Sequence, residues 1–266
     1  MASEPPTPNI DVGRVVAKGF AALGANFFAF FGFALLLAGV PGFLQIWFTT
    51  TLGQHAASTG EAFSFAAWAP LLADIFALFL GGALLQGVLT RSTILHLSGR
   101  DPDPVGSALL ALRLLLPIIG ISICVGFLVV FGLVLLIVPG IIAWCAFAVS
   151  VPALVEERRG VASSIGRSQE LTRGTRGHVF LIGLFTWILS SIISALTGVV
   201  AGVVSGAAGL DAASPDLPGL LVTGAANGLA VSVTAVISSV LIAALYVELR
   251  EIKEGASANE LAGVFA

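Results

Sequence analysis

Five apolar blocks separated by shorter polar stretches dominate the chain: residues 26–48, 70–90, 114–155, 179–204 and 220–246. A helix that crosses the hydrocarbon core of a bilayer needs about 20 mostly apolar residues. Four of the blocks have that length. The third runs 42 residues without a charged side chain. At about 1.5 Å per residue this is roughly 63 Å of helix, twice the apolar thickness of a bilayer. It is therefore predicted to be a hairpin. Its turn should lie among Gly132, Pro139 and Gly140, the helix breakers near its middle, with Pro139-Gly140 as the expected break. The count is six spans.

Ahead of the first, third and fifth spans the pattern changes. DVGRVVAKGFAALGANF sets Val12, Val15, Val16, Phe20 and Leu23 against Arg14 and Lys18. PVGSALLALRLLLP has Arg113 interrupting its apolar face. After Gly160, the residues Val161, Ile165, Leu171 and Thr172 recur at helical spacing, and Gly174 is placed to end that helix. Each segment is predicted to be a short amphipathic helix in the membrane interface, an elbow feeding the next span. The expected fold is an all-α polytopic membrane protein with six transmembrane helices in three elbow-plus-hairpin units. Residues 1–9 read as a disordered lead, 10–254 as the membrane domain and 255–266 as a cytoplasmic tail. Identities between the units are too few to decide whether they arose by duplication.

Composition supports the bilayer. Hydrophobic residues make up 57% of the chain and charged residues 10%, against about a quarter charged in a soluble domain. The first residues, acidic and proline-rich, lack the basic and apolar pattern of a signal peptide, so the first span is expected to stay in the mature protein. Charge also orients the chain. With six spans, all 12 Lys and Arg fall on one side, and the loops around His55, Gly132 and Asp211 contain none. Basic residues mark the cytoplasmic face, so both termini are expected there. The expected location is the plasma membrane (the inner membrane in a Gram-negative source). A net charge of −3 gives no reason to expect a nucleic-acid partner.

One stretch concentrates the charge: VPALVEERRGVASSIGRSQELTRGTRGHVF, residues 151–180, holds eight of the 27 charged side chains (12 basic plus 15 acidic). On the predicted topology this is a cytoplasmic loop. Arg158, Arg159, Arg167, Arg173 and Arg176 are candidates for binding anionic headgroups, at about 1 kcal/mol for each basic group near the surface. Glu157 leaves span four, and Arg167 should lie on the elbow folded back beneath it. The two are expected to pair as a structural brace.

The order of residues around this loop resembles a known family. An apolar run, Pro139 and Gly140, a further apolar run, Pro152, Glu157, Gly160, then Arg167, Ser168, Leu171 and Gly174 is similar to the membrane domain associated with some bacterial glycerophosphodiester phosphodiesterases. That domain also occurs as stand-alone proteins. The resemblance is best over residues 133–180. It implies a six-helix integral membrane protein and not phosphodiesterase activity, which belongs to a separate soluble barrel domain that this chain has no room for.

Candidate chemistry is sparse. Cys124 and Cys145 sit in apolar runs and read as small buried hydrophobes. His55, His96 and His178 are divided between the two predicted sides, and no zinc-protease, Walker or serine-hydrolase motif is present. Asp74, about one turn inside the outer edge of span two, is a functional candidate as an intramembrane carboxylate, and the favoured reading is that it reaches the outer headgroups. In spans five and six, Ser190, Ser194, Gly198, Gly202 and Gly206, and then Gly224, Gly228 and Ser232, recur every fourth residue. Such ribbons let helix backbones approach closely, so these positions are expected to pack helices. The neighbouring Asn227, Thr234 and Ser238 could instead form a polar seam for a substrate. These features point to a non-enzymatic protein, without metal or cofactor, that binds or moves a membrane lipid or small amphiphile. The alternative is an assembly subunit acting through helix faces, as a homo-oligomer or with another membrane protein.

Overall fold

The computed structural model describes residues 10–59, 65–101, 103–158, 160–209 and 217–264, with side chains except at 55–59, 65–67 and 256–264. The predicted lead, Arg159 and the loop at Asp211 fall outside the described residues. The described chain is helical, without a strand. Its helices are α1 (Val12–Ala25), α2 (Phe27–Ala34), a π-helical turn (Leu35–Gly39), α3 (Val40–Thr59), α4 (Phe65–Leu97), α5 (Pro104–Arg113), α6 (Leu115–Leu135), α7 (Ile137–Phe147), α8 (Ser150–Glu157), α9 (Val161–Thr172), α10 (Arg176–Ala207) and α11 (Leu217–Val264). Six stretches are long and apolar enough to cross a membrane: Phe27–Gln54, Trp68–Leu97, Leu115–Leu135, Ile137–Glu157, Arg176–Ala207 and Leu217–Gly255. The protein is an all-α integral membrane protein.

The three elbows form as separate helices, α1, α5 and α9, each ahead of a span. Their ends have local causes. At α5 the Asp103 carboxylate accepts from the Gly106 amide at 2.8 Å, and Pro104 occupies the first turn. Gly160 and Gly174 flank α9 with φ of +88° and +85°, a region that disfavours any other residue. The elbows turn inward Val15, Gly19 and Ala22 of α1, Ser107 and Ala111 of α5, and Ser164, Ser168 and Leu171 of α9. Apolar groups such as Phe20, Leu109 and Leu112 face out. A Cβ on Gly19 would stand 2.9 Å from Leu241 Cδ2, so α1 lies hard against α11.

Two compact units divide the chain. The first comprises Met1–Ala25, Gly87–Phe185 and Ser239–Ala266; the second comprises Asn26–Gln86 and Thr186–Ser238. All 12 basic residues belong to the first. Its core joins Val15 of α1, Ile94 of α4, Cys145 of α7, Leu171 of α9, Val179 of α10 and Tyr246 of α11. Cys145 is buried as expected, whereas Cys124 is exposed on α6.

The hairpin of spans three and four turns at Leu136, which is extended (φ −161°, ψ 140°) between α6 and α7. The expected break at Pro139 and Gly140 is therefore corrected by three residues. Pro139 lies in the first turn of α7, where an amide donor has no helical partner to lose, and the Gly140 amide donates to the Leu136 carbonyl at 3.4 Å. Gly140 serves close approach instead: a Cβ on Gly132 would come 2.9 Å from the Gly140 Cα. A second interruption falls at Ala148 and Val149, just before Pro152.

In the second unit, span one contains the π-helical turn, closed by the Val40 amide on the Leu35 carbonyl, and then Pro41. These features disturb the backbone ladder, and span six approaches it. Ser232 Oγ donates to the Ala34 carbonyl at 3.3 Å and to Gly228 O at 2.7 Å, and Asn227 Nδ2 donates to the Gly42 carbonyl at 2.6 Å. A Cβ on Gly228 would come 2.6 Å from Gly39 O, and one on Gly224 2.8 Å from Phe43. A Cβ on Gly81 of span two would strike the Leu37 carbonyl oxygen.

Candidate functional site

The charged loop and the end of α11 form one network in the first unit. Arg167 on α9 donates from Nε to Glu157 Oε1 at 2.9 Å, and its Nη1 reaches Glu170 at 3.2 Å. Its Nη2 bonds Glu254 on α11. The Tyr246 hydroxyl donates to the same Glu157 oxygen at 3.0 Å. Arg167 and Glu157 side chains are 13% and 9% exposed, so the pair is largely out of water. Burial works to lower the Arg167 pKa, but its hydrogen bonds to Glu157 and Glu170 outweigh this and hold it above the ordinary value.

A second network ties α1 to α11. Lys18 Nζ donates to Glu248 and to Glu251, each at 2.8 Å, and Glu248 is 1% exposed. Arg14 Nη1 lies 3.1 Å from the other Glu248 oxygen, at an angle that makes no hydrogen bond. Burial depresses the Lys18 pKa, and the two carboxylates more than offset it, leaving the value raised. The helix beyond the expected end of span six thus carries the counter-charges for two elbows. Sequence reasoning ended the last apolar block at residue 246 and missed this role, although the run Glu248, Arg250, Glu251, Lys253, Glu254 at three- and four-residue spacing carried the signal.

Positions that carried the family resemblance acquire physical roles. The interruption after Phe147 leaves the Ala146 carbonyl to side chains: Ser168 Oγ donates to it at 2.8 Å and Thr172 Oγ1 at 3.3 Å. Leu171 is fully buried. The headgroup candidates divide. Arg167 is committed to carboxylates and is withdrawn from that set. Arg158 is exposed, with a left-handed backbone (φ 52°) at the end of α8. Arg173 and Arg176 are exposed, and Lys253 Nζ donates to the Arg173 carbonyl at 3.0 Å.

The second unit holds an open groove of about 580 Å³. Spans five and six line it through Ser194, Gly198, Gly202, Thr223, Asn227 and Thr234, and Ile46 of span one contributes. Within the chain, Ser194, Gly198 and Gly202 face this groove and do not pack against another helix. A Cβ on Gly198, Gly202 or Gly206 would meet nothing within 4 Å, whereas Gly224 and Gly228 do pack. The Thr234 hydroxyl oxygen in the groove is shielded from water and has no protein partner. Asp74 is also corrected: it is 3% exposed, and both carboxylate oxygens are buried without a partner, so it does not reach outward. Among the described residues no group of three or more His, Cys, Asp and Glu side chains could hold a metal ion.

No family model, curated protein or solved structure matches the chain.

Proposed function

We propose that this integral membrane protein binds or moves a lipid or small amphiphile in the plasma membrane, without catalysing a reaction on it. The groove of the second unit carries the reading. Its volume of about 580 Å³ falls within the roughly 300–1,000 Å³ of small-ligand sites. Glycine and alanine supply six of its thirteen lining residues, and Ser194, Thr197, Thr223, Asn227 and Thr234 supply polar points. That combination suits a small amphiphile. Exposed Arg158, Arg173 and Arg176 of the first unit suit an anionic leaflet. On this reading both termini are cytoplasmic, and the chain is a stand-alone relative of the phosphodiesterase-associated membrane domain that its residues 133–180 resemble.

A second reading rests on the same face. Exposed Gly198 and Gly202 would also admit a helix of a second copy or of another membrane protein. Native mass spectrometry of protein extracted in mild detergent separates the two. Lipid adducts on a monomer support the first reading. A lipid-free oligomer supports the second and refutes the first.

A further inference from the structure

Span two carries Asp74 on its inward face. Leu71, Asp74, Gly81 and Leu85 are all buried at three-, four- and seven-residue spacing, and Gly81 meets the backbone of span one. Asp74 lies six residues after Trp68, where the span begins, which is about 9 Å along the helix at 1.5 Å per residue. It is 3% exposed before any lipid covers the helix, and neither carboxylate oxygen has a hydrogen-bond partner.

An ionised carboxylate so enclosed needs a compensating charge. Among the described side chains the protein unit around it offers none. Residues 26–86 and 186–238 contain no Lys or Arg. Asp74 is the one ionisable group among that unit's described side chains; His55, Glu61, Asp211 and Asp216 complete its ionisable set and lie outside them. A metal cation requires several ligands around it, and among the described residues no group of three or more His, Cys, Asp and Glu side chains could supply them. A proton is the one cation that a lone carboxylate neutralises unaided. Intramembrane carboxyls are costly to keep and mark proton or ion pathways.

We infer that Asp74 is a proton-binding site inside the membrane, holding a proton on its enclosed carboxylate. The inference is independent of the lipid reading.

Dicyclohexylcarbodiimide tests it in proteoliposomes of the full chain. The reagent adds across the O–H of a protonated carboxyl in an apolar setting, and the adduct rearranges to a stable N-acylurea without loss of atoms. The expected result is a mass adduct on the Asp74 peptide of the unmodified protein that fades as pH is raised and is absent from Asp74→Asn. Infrared spectra should show the C=O band of a protonated carboxyl that Asp74→Asn removes. No adduct at Asp74 at any pH would overturn the proposal. So would an adduct blocked at constant pH by sodium or calcium ions, which would assign a metal cation to the site. The peptide adduct is read on the unmodified chain, so a variant that fails to fold leaves the test intact.

Discussion

Breaking the Glu157–Arg167 pair should show whether the loop after span four is a fixed brace. The two side chains are 9% and 13% exposed and meet at 2.9 Å. Removing one partner of a buried pair typically costs about 3–5 kcal/mol, because the other charge is left uncompensated. The two sides are unequal here. Without Glu157, Arg167 keeps Glu170 and Glu254, which are 71% and 46% exposed. Without Arg167, buried Glu157 loses its guanidinium and keeps its other contacts, the Tyr246 hydroxyl at 3.0 Å among them. Arg167→Met should therefore cost about 3 kcal/mol, near the lower end of that range. Glu157→Gln, which leaves the arginine its more solvated partners, should cost about 1–2 kcal/mol. The double variant should be less destabilised than the sum, with a coupling of about 1–3 kcal/mol. Unfolding in mixed micelles can be followed by thiol labelling of Cys145, which is 2% exposed, after Cys124→Ala removes the exposed thiol. Additive single effects would mean that the pair does not hold the loop, whatever its geometry.

Other outcomes follow from the same structure. Gly228→Ala puts a methyl 2.6 Å from Gly39 O and should cost about 1–3 kcal/mol, whereas Gly202→Ala meets nothing within 4 Å and should be neutral or gain up to about 1 kcal/mol from helix propensity; equal losses in a thermal-unfolding comparison would contradict this division. Neutralising Arg173 and Arg176 together should leave stability nearly unchanged and weaken binding to anionic liposomes; an unchanged lipid preference would remove the headgroup role. Ser163→Cys on the exposed face of α9 should resist an impermeant thiol reagent added outside intact cells, and its labelling would reverse the proposed topology.

The elbows were legible because each sets a short apolar period against basic residues ahead of a span, and at α5 and α9 proline or glycine also marks where the helix begins. The Glu157–Arg167 pairing was legible because both residues flank one tight reversal at Gly160. Depth and facing were not. A glycine every fourth residue marks a smooth helix face, but the spacing is the same at Gly202, which meets nothing, and at Gly228, which meets a backbone. Hydrophobic sums placed Asp74 near the outer edge, yet its inward position depends on how span two rotates against span one. The π-helical turn at Leu35–Gly39 leaves no composition signal, because five apolar residues satisfy an α-helix equally well. The turn at Leu136 was displaced from its nearest breakers because Pro139 is tolerated in the first turn of a helix.

Filling the groove tests the lipid reading most directly. A photoreactive lipid carrying a diazirine on its acyl chain, reconstituted with the full chain, should cross-link to residues of spans five and six that line the groove, among them Thr197, Thr223 and Thr234. Gly198→Phe projects a ring into that space without meeting a neighbour within 4 Å of its Cβ. The account predicts that this variant folds, retains the wild-type melting temperature and loses the cross-link. A correctly folded Gly198→Phe protein that labels at the same sites and to the same extent as wild type would contradict it.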